Sequence, residues 1–250
     1  MQIAELSIET LLRAKERFED TLEQMNVAEA NKMPAPLIKS VTWLTWHTAR
    51  ELDFQISDLN NSQALWFKKG FGEQFNLSLP DDTEDWHHTP QEAAKKERFE
   101  DTLEQMNVAE ANKMPAPLIK SVTWLTWHTA RELDFQISDL NNSQALWFKK
   151  GFGEQFNLSL PDDTEDWHHT PQEAAKVVVK DKALLLNYLA ASVDFTVAYL
   201  QSINEESLQD IVDTNWNPPV TRQVRIVSAI DDAIMHSGQA VYTRRLVIGK

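Results

Sequence analysis

The chain has 250 residues, 42% apolar and 25% charged, with nine Trp and eleven Phe, which is bulk enough for a core and excludes wholesale disorder. Its formal charge is −14 and no Lys/Arg cluster stands out, so phosphate backbones and anionic lipid are repelled, and neither nucleic acid nor membrane is an expected partner. There is no Cys, which excludes disulfides, thiolate metal sites and a cysteine nucleophile and leaves His and carboxylates as the only strong metal ligands. The first residues lack a basic start and an apolar core, and no run approaches the roughly 20 apolar residues that span a bilayer, so a cytoplasmic location is expected.

Residues 15–95 recur without a change as residues 96–176. One copy removed leaves a single domain's worth of sequence. The expected division is therefore 1–95, a first copy of two helices and their connection, and 96–250, a second copy with two further helices that completes a bundle.

In chain order, Leu11, Phe18, Leu22 and Met25 recur at helical steps with Glu and Lys between them, predicting an amphipathic helix from Ile3 to about Met25. After Pro34 and Pro36, the series Val41, Leu44, Leu52, Ile56 and Leu59 predicts a second helix ending near Asn60-Asn61, with His47 one turn after Leu44. Ser62 to His88 is irregular and too long for a tight hairpin, which points to a crossover connection. Its acidic run Asp81 to Asp85 and the adjacent His87-His88 are expected in solvent, the histidines in the approach to a helix cap, as are His168-His169 in the second copy. Thr89-Pro90-Gln91-Glu92 has the makings of a capping box with Pro at the first helical position.

In the second copy the same start, Thr170-Pro171-Gln172-Glu173, leads into a predicted long helix through Val177 to Ile203. In the first copy it is spliced onto Lys96-Glu97-Arg98-Phe99, predicting a hybrid helix from Pro90 to Met106. That hybrid replaces residues 2–14 in front of the second copy, with the loss of Leu6, Leu11 and Leu12. A last helix is predicted to begin after Asn217-Pro218-Pro219 and run to about Val247, and no segment has the alternation of a sheet, so the fold class is all-α.

On that last helix Asp232 and His236 stand four apart, one turn apart on one face, where they can share a metal or form a surface ion pair. His47 is the natural third ligand from a neighbouring helix; flanked by Trp43 and Trp46, it can equally be a buried, hydrogen-bonded histidine. Gly238 gives either close helix packing or room beside a metal, and Gln239 or Arg225 lies near enough to orient a ligand.

The run Trp43-Leu44-Thr45-Trp46-His47-Thr48-Ala49-Arg50 with Asp53, together with Asp232 and His236-Ser237-Gly238-Gln239, resembles the DinB-like superfamily. That superfamily includes thiol-dependent S-transferases and mycothiol-dependent maleylpyruvate isomerases. The resemblance implies a four-helix bundle with a crossover, extended here by two repeated helices to about six long ones. It also implies a divalent metal, zinc or nickel foremost, held by His47 or its copy His128 with Asp232 and His236. Many members have His where Asp232 stands, and the mycothiol-dependent isomerases resemble this chain in having a carboxylate there. The implied chemistry is transfer or isomerisation that uses a low-molecular-weight thiol and an electrophile from solution; the rival reading is a non-catalytic helical scaffold.

Since Asp232 and His236 occur once, one complete triad per chain is the maximum. Native-length connections favour His128 as its third member. A bundle built on the authentic first helix and His47, with a copy looped out, is the alternative. In either case the leftover helices expose an apolar face, and oligomers formed by exchange of helices are expected.

Overall fold

The computed structural model describes residues 3–35, 38–75 and 99–249. Five long helices account for nearly half of them: α1 (Ile3–Glu23), α2 (Val41–Leu59), α3 (Val122–Leu140), α4 (Lys182–Ser202) and α5 (Arg222–Ile248). The only sheet among the described residues is an antiparallel ladder pairing β1 (Ile211–Asp213) with β2 (Val220–Thr221). The fold is all-α.

Two compact units divide the chain, one of residues 1–13 with 97–250 and the other of residues 14–96. The first thus gathers the second copy, α4 and α5, together with the start of α1.

In this larger unit α3 is packed by both α4 and α5. Ser121 caps α3 by accepting from the Trp124 amide, and Val122, Leu125, Trp127 and Leu133 are all buried. Leu185, Tyr188 and Leu189 of α4 join the same core. The centre of the arrangement is Asp134, which is fully buried. It accepts from the Leu146 and Trp147 amides at 2.7 and 2.8 Å, at the start of the helical turn Leu146–Lys149, and from the Tyr188 hydroxyl at 2.9 Å. A buried carboxylate is tolerable only when its lone pairs are used in this way. Burial and the neighbouring Asp134 charge push the Tyr188 hydroxyl far up, so it remains a donor. Arg222 at the start of α5 reaches the Leu140 carbonyl and the Tyr199 hydroxyl, and so fixes α5 to the ends of α3 and α4.

The expected helix through Val177–Ile203 is broken. The capping box forms on Thr170 and Glu173, but its helix ends at Ala174, and α4 begins only at Lys182 behind an Asp181 cap. Three successive valines disfavour helix, and Asn112 holds Val179 by accepting from its amide and donating to its carbonyl. The expected hybrid helix lies mostly outside the described residues; its described end is Phe99–Glu104, after which Asn107 caps a new turn at Val108–Ala111. The N-terminal segment compensates in part for the residues missing in front of the second copy. Leu6 lines a pocket with Leu200, Ile203, Ile226 and Ile230, and Arg13 donates to Ser228 at 2.9 Å. Leu11 and Leu12 remain exposed.

The smaller unit repeats the local structure of its twin. Ser40 caps α2, Asp53 accepts from the Leu65 and Trp66 amides at 2.7 Å each, and the Arg50 guanidinium lies over Trp46, Phe54 and Trp66. Burial is what differs. Ile56 is 60% exposed where Ile137 is 1%, Leu52 is 41% where Leu133 is 5%, and Phe75 is 53% where Phe156 is 6%.

Removing the same aspartate from each copy therefore has unequal results. Asp134→Ala strands two buried amides and a buried phenol and is expected to cost about 3 kcal/mol, whereas Asp53→Ala, with more water at hand, costs about 1 or less. Urea unfolding followed by Trp fluorescence measures both, and equal losses would contradict the difference in cover.

Candidate metal centre

The structure brings His128, Asp232 and His236 together, with one ligand atom of each lying within 4.8 Å of the others. His128 comes from the buried face of α3, and the other two from one face of α5, four residues apart. His128 Nε2 is 3.7 Å from Asp232 Oδ2, and His236 Nε2 is 3.3 Å from Asp232 Oδ1. Two ligand atoms bound at about 2.0–2.1 Å to a tetrahedral ion stand about 3.3 Å apart, so these spacings suit a first-row divalent cation with little movement. The donor set is two imidazoles and a carboxylate.

Both histidines are held from behind. His128 Nδ1 is 2.8 Å from Asp166 Oδ2, and His236 Nδ1 is 2.6 Å from Gln239 Oε1. With Nδ1–H donated to each oxygen, both Nε2 atoms turn toward Asp232 as ligands, the usual outer partnership of metal-binding imidazoles. Trp124 stacks on the His128 ring with centroids 4.5 Å apart, and the His128 and His236 rings meet edge to face at 4.8 Å.

Asp166 is the copy of Asp85 and is buried, whereas Asp162, Asp163 and Glu165 of the same second-copy run are exposed. Arg131 accounts for it. Its guanidinium lies over Trp127, Phe135 and Trp147, donates to the Asp162 carbonyl at 2.6 Å and sits 3.9 Å from Asp166 Oδ1. His169 is likewise buried, contrary to expectation, while His168 is exposed. The Trp124 indole donates to His169 Nδ1 at 3.1 Å, and Thr164 Oγ1 lies 2.9 Å from its Nε2. Burial lowers its pKa, so it stays neutral and supports Trp124. The first-copy run Asp81–Asp85 and His87-His88 lie outside the described residues.

Of the other residues singled out, His47 belongs to the smaller unit, where it stacks on Trp43 at 4.6 Å, and is not in the group. Arg225 pairs with Asp139 and Asp213 instead. A Cβ on Gly238 would meet nothing within 4 Å, so close packing does not require glycine there. Glu132, one turn along α3 from His128, was missed by sequence reasoning. Its pKa is raised by burial and by the Asp166 charge, and it forms a second group with His128 and Asp166.

A family model of the DinB superfamily matches residues 94–240, more than half of the chain and all three members of the group. The chain belongs to the DinB superfamily. Among solved structures it is similar to the crystal structure of the "conserved protein of locus from Enterococcus faecalis", with 73% identity over 62% of this chain and 91% of that one and a TM-score of 0.60. No curated protein matches.

Burial alone would lower the His128 pKa, but the Asp166 hydrogen bond and the charges of Asp166, Glu132 and Asp232 outweigh it, and the net shift is upward from 6.5. A proton on Nε2 competes with a cation, so affinity for a divalent metal falls as pH drops through this raised value and recovers above it. Zinc titration calorimetry from pH 6 to pH 8 checks this; affinity independent of pH across that range would contradict it.

Proposed function

We propose that this protein holds a divalent metal, zinc or nickel, through His128, Asp232 and His236, and uses it in thiol-dependent transfer or isomerisation. The observation that carries the reading is the convergence of two imidazole Nε2 atoms on one carboxylate, each imidazole being pinned through its other nitrogen. A three-ligand cation with open positions would lower the pKa of a bound thiol or water and so supply a nucleophile at neutral pH. The chain has no thiol of its own, so a low-molecular-weight thiol comes from solution with the electrophile.

The protein groups have separable roles. Asp166 and Gln239 orient the imidazoles, Trp124 walls the site, and Glu132, whose carboxyl holds its proton more tightly than usual, is placed to keep or pass a proton beside His128. We read the repeat as a duplication within one parental domain and the location as cytoplasmic. The exposed face of the smaller unit favours the second reading, a scaffold that associates through that face.

Metal analysis on dilute protein tests the first reading. About one ion per chain is expected in the parent and in His47→Ala, with loss in His128→Ala, Asp232→Ala and His236→Ala. Asp166→Asn should keep the fold and weaken metal affinity about 10- to 100-fold. A parent without metal, or one indifferent to all three ligand substitutions, would sink the proposal.

A further inference from the structure

Two identical sequences stand in different surroundings, and the covered copy shows what the other is shaped to receive. In the smaller unit an open groove of about 760 Å³ is lined by Ala49, Leu52, Asp53, Ile56, Leu65 and neighbours. The equivalents in the larger unit, Ala130, Leu133, Asp134, Ile137 and Leu146, are all buried, and there Tyr188 of α4 reaches Asp134. In the larger unit that face seats α4. Local geometry is already set for that occupant, because Asp53 makes the same two amide contacts at 2.7 Å that Asp134 makes at 2.7 and 2.8 Å.

We propose that the smaller unit is a second seat for the α4–α5 pair, supplied by a second copy of this chain, and that His47 then meets Asp232 and His236 of that copy. The second half of the statement rests on the metal reading above; the first half does not. Since each chain carries one α5, the number of centres stays at one per chain whichever seat is used. What changes is connectivity and mass. The contacts offered by the two seats are the same side chains, so the difference between the arrangements is reduced to chain connections and to what precedes each copy. Ahead of α2 runs α1, and ahead of α3 the described helices are Phe99–Glu104 and the turn Val108–Ala111. Connection length changes closure cost slowly, and exchange between chains rises with concentration.

Two full-length variants test this by complementation. One carries His128→Ala with Asp232→Ala and His236→Ala and offers only His47. The other carries His47→Ala with His128→Ala and offers only Asp232 and His236. Each is refolded from urea with zinc, alone and mixed. Neither alone should hold zinc at the site; the mixture should, in a species of two-chain mass by light scattering, and Ile56→Glu in the first variant should abolish it. A mixture that binds no more zinc than its components, when wild type refolded in the same way does bind it, overturns the proposal, as does zinc retention by monomeric His128→Ala. Should wild type hold no zinc, the metal reading fails and the seat is judged by mass alone. Two-chain wild type that Ile56→Glu returns to a monomer then supports it, and a monomer at every concentration overturns it.

Discussion

The seating of α4 and α5 on the apolar face of α3 is the interaction from which the rest follows. It buries Leu133 and Ile137, gives Asp134 the Tyr188 hydroxyl as a partner, and carries Asp232 and His236 to His128. Because the repeat presents the same face twice, the structure contains its own control. Helix capping, the aspartate contact with the following turn and the stacking of arginine on aromatic rings are alike in both copies, so they come from local sequence. Burial and the assembly of the histidine–carboxylate group differ, and they follow from the long-range partner alone.

That separation also explains what was legible beforehand. The long helices, the Thr170 capping box and the pairing of Asp232 with His236 are consequences of spacing over a few residues, and they could be read directly. The break before α4 was not legible, since it depends on Asn112, 67 positions before Val179, winning that backbone from the helix. The burial of Asp166 and His169 escaped for the same reason. Nothing local marks Asp166 as the one member of its acidic run that turns inward, to His128 and to Arg131 stacked on three rings. A local signal for Asp166 did exist, since a metal-binding imidazole generally needs an acceptor behind it, but several acidic residues in the run were equally eligible.

The histidine–carboxylate group shows how little of a site need be repeated for its assembly to be divided between copies. His47 and His128 have the same flanking residues and stack on equivalent tryptophans, yet among the described residues it is His128 that Asp232 and His236 of α5 join. Around it Asp166 and Glu132 raise the local negative charge, which favours a bound cation and, in its absence, a proton. Burial opposes the upward shift of His128, which its Asp166 hydrogen bond and the nearby carboxylate charges produce, whereas burial leads the upward shift of Glu132, with the Asp166 charge adding to it.

The most direct measurement on the central claim is metal-edge X-ray absorption of the zinc-loaded protein. Two imidazole nitrogens and a carboxylate oxygen at about 2.0–2.1 Å are predicted, with solvent or thiol completing the shell. A shell of oxygens only, or one with a single imidazole, would contradict the assignment of His128, Asp232 and His236 as the centre.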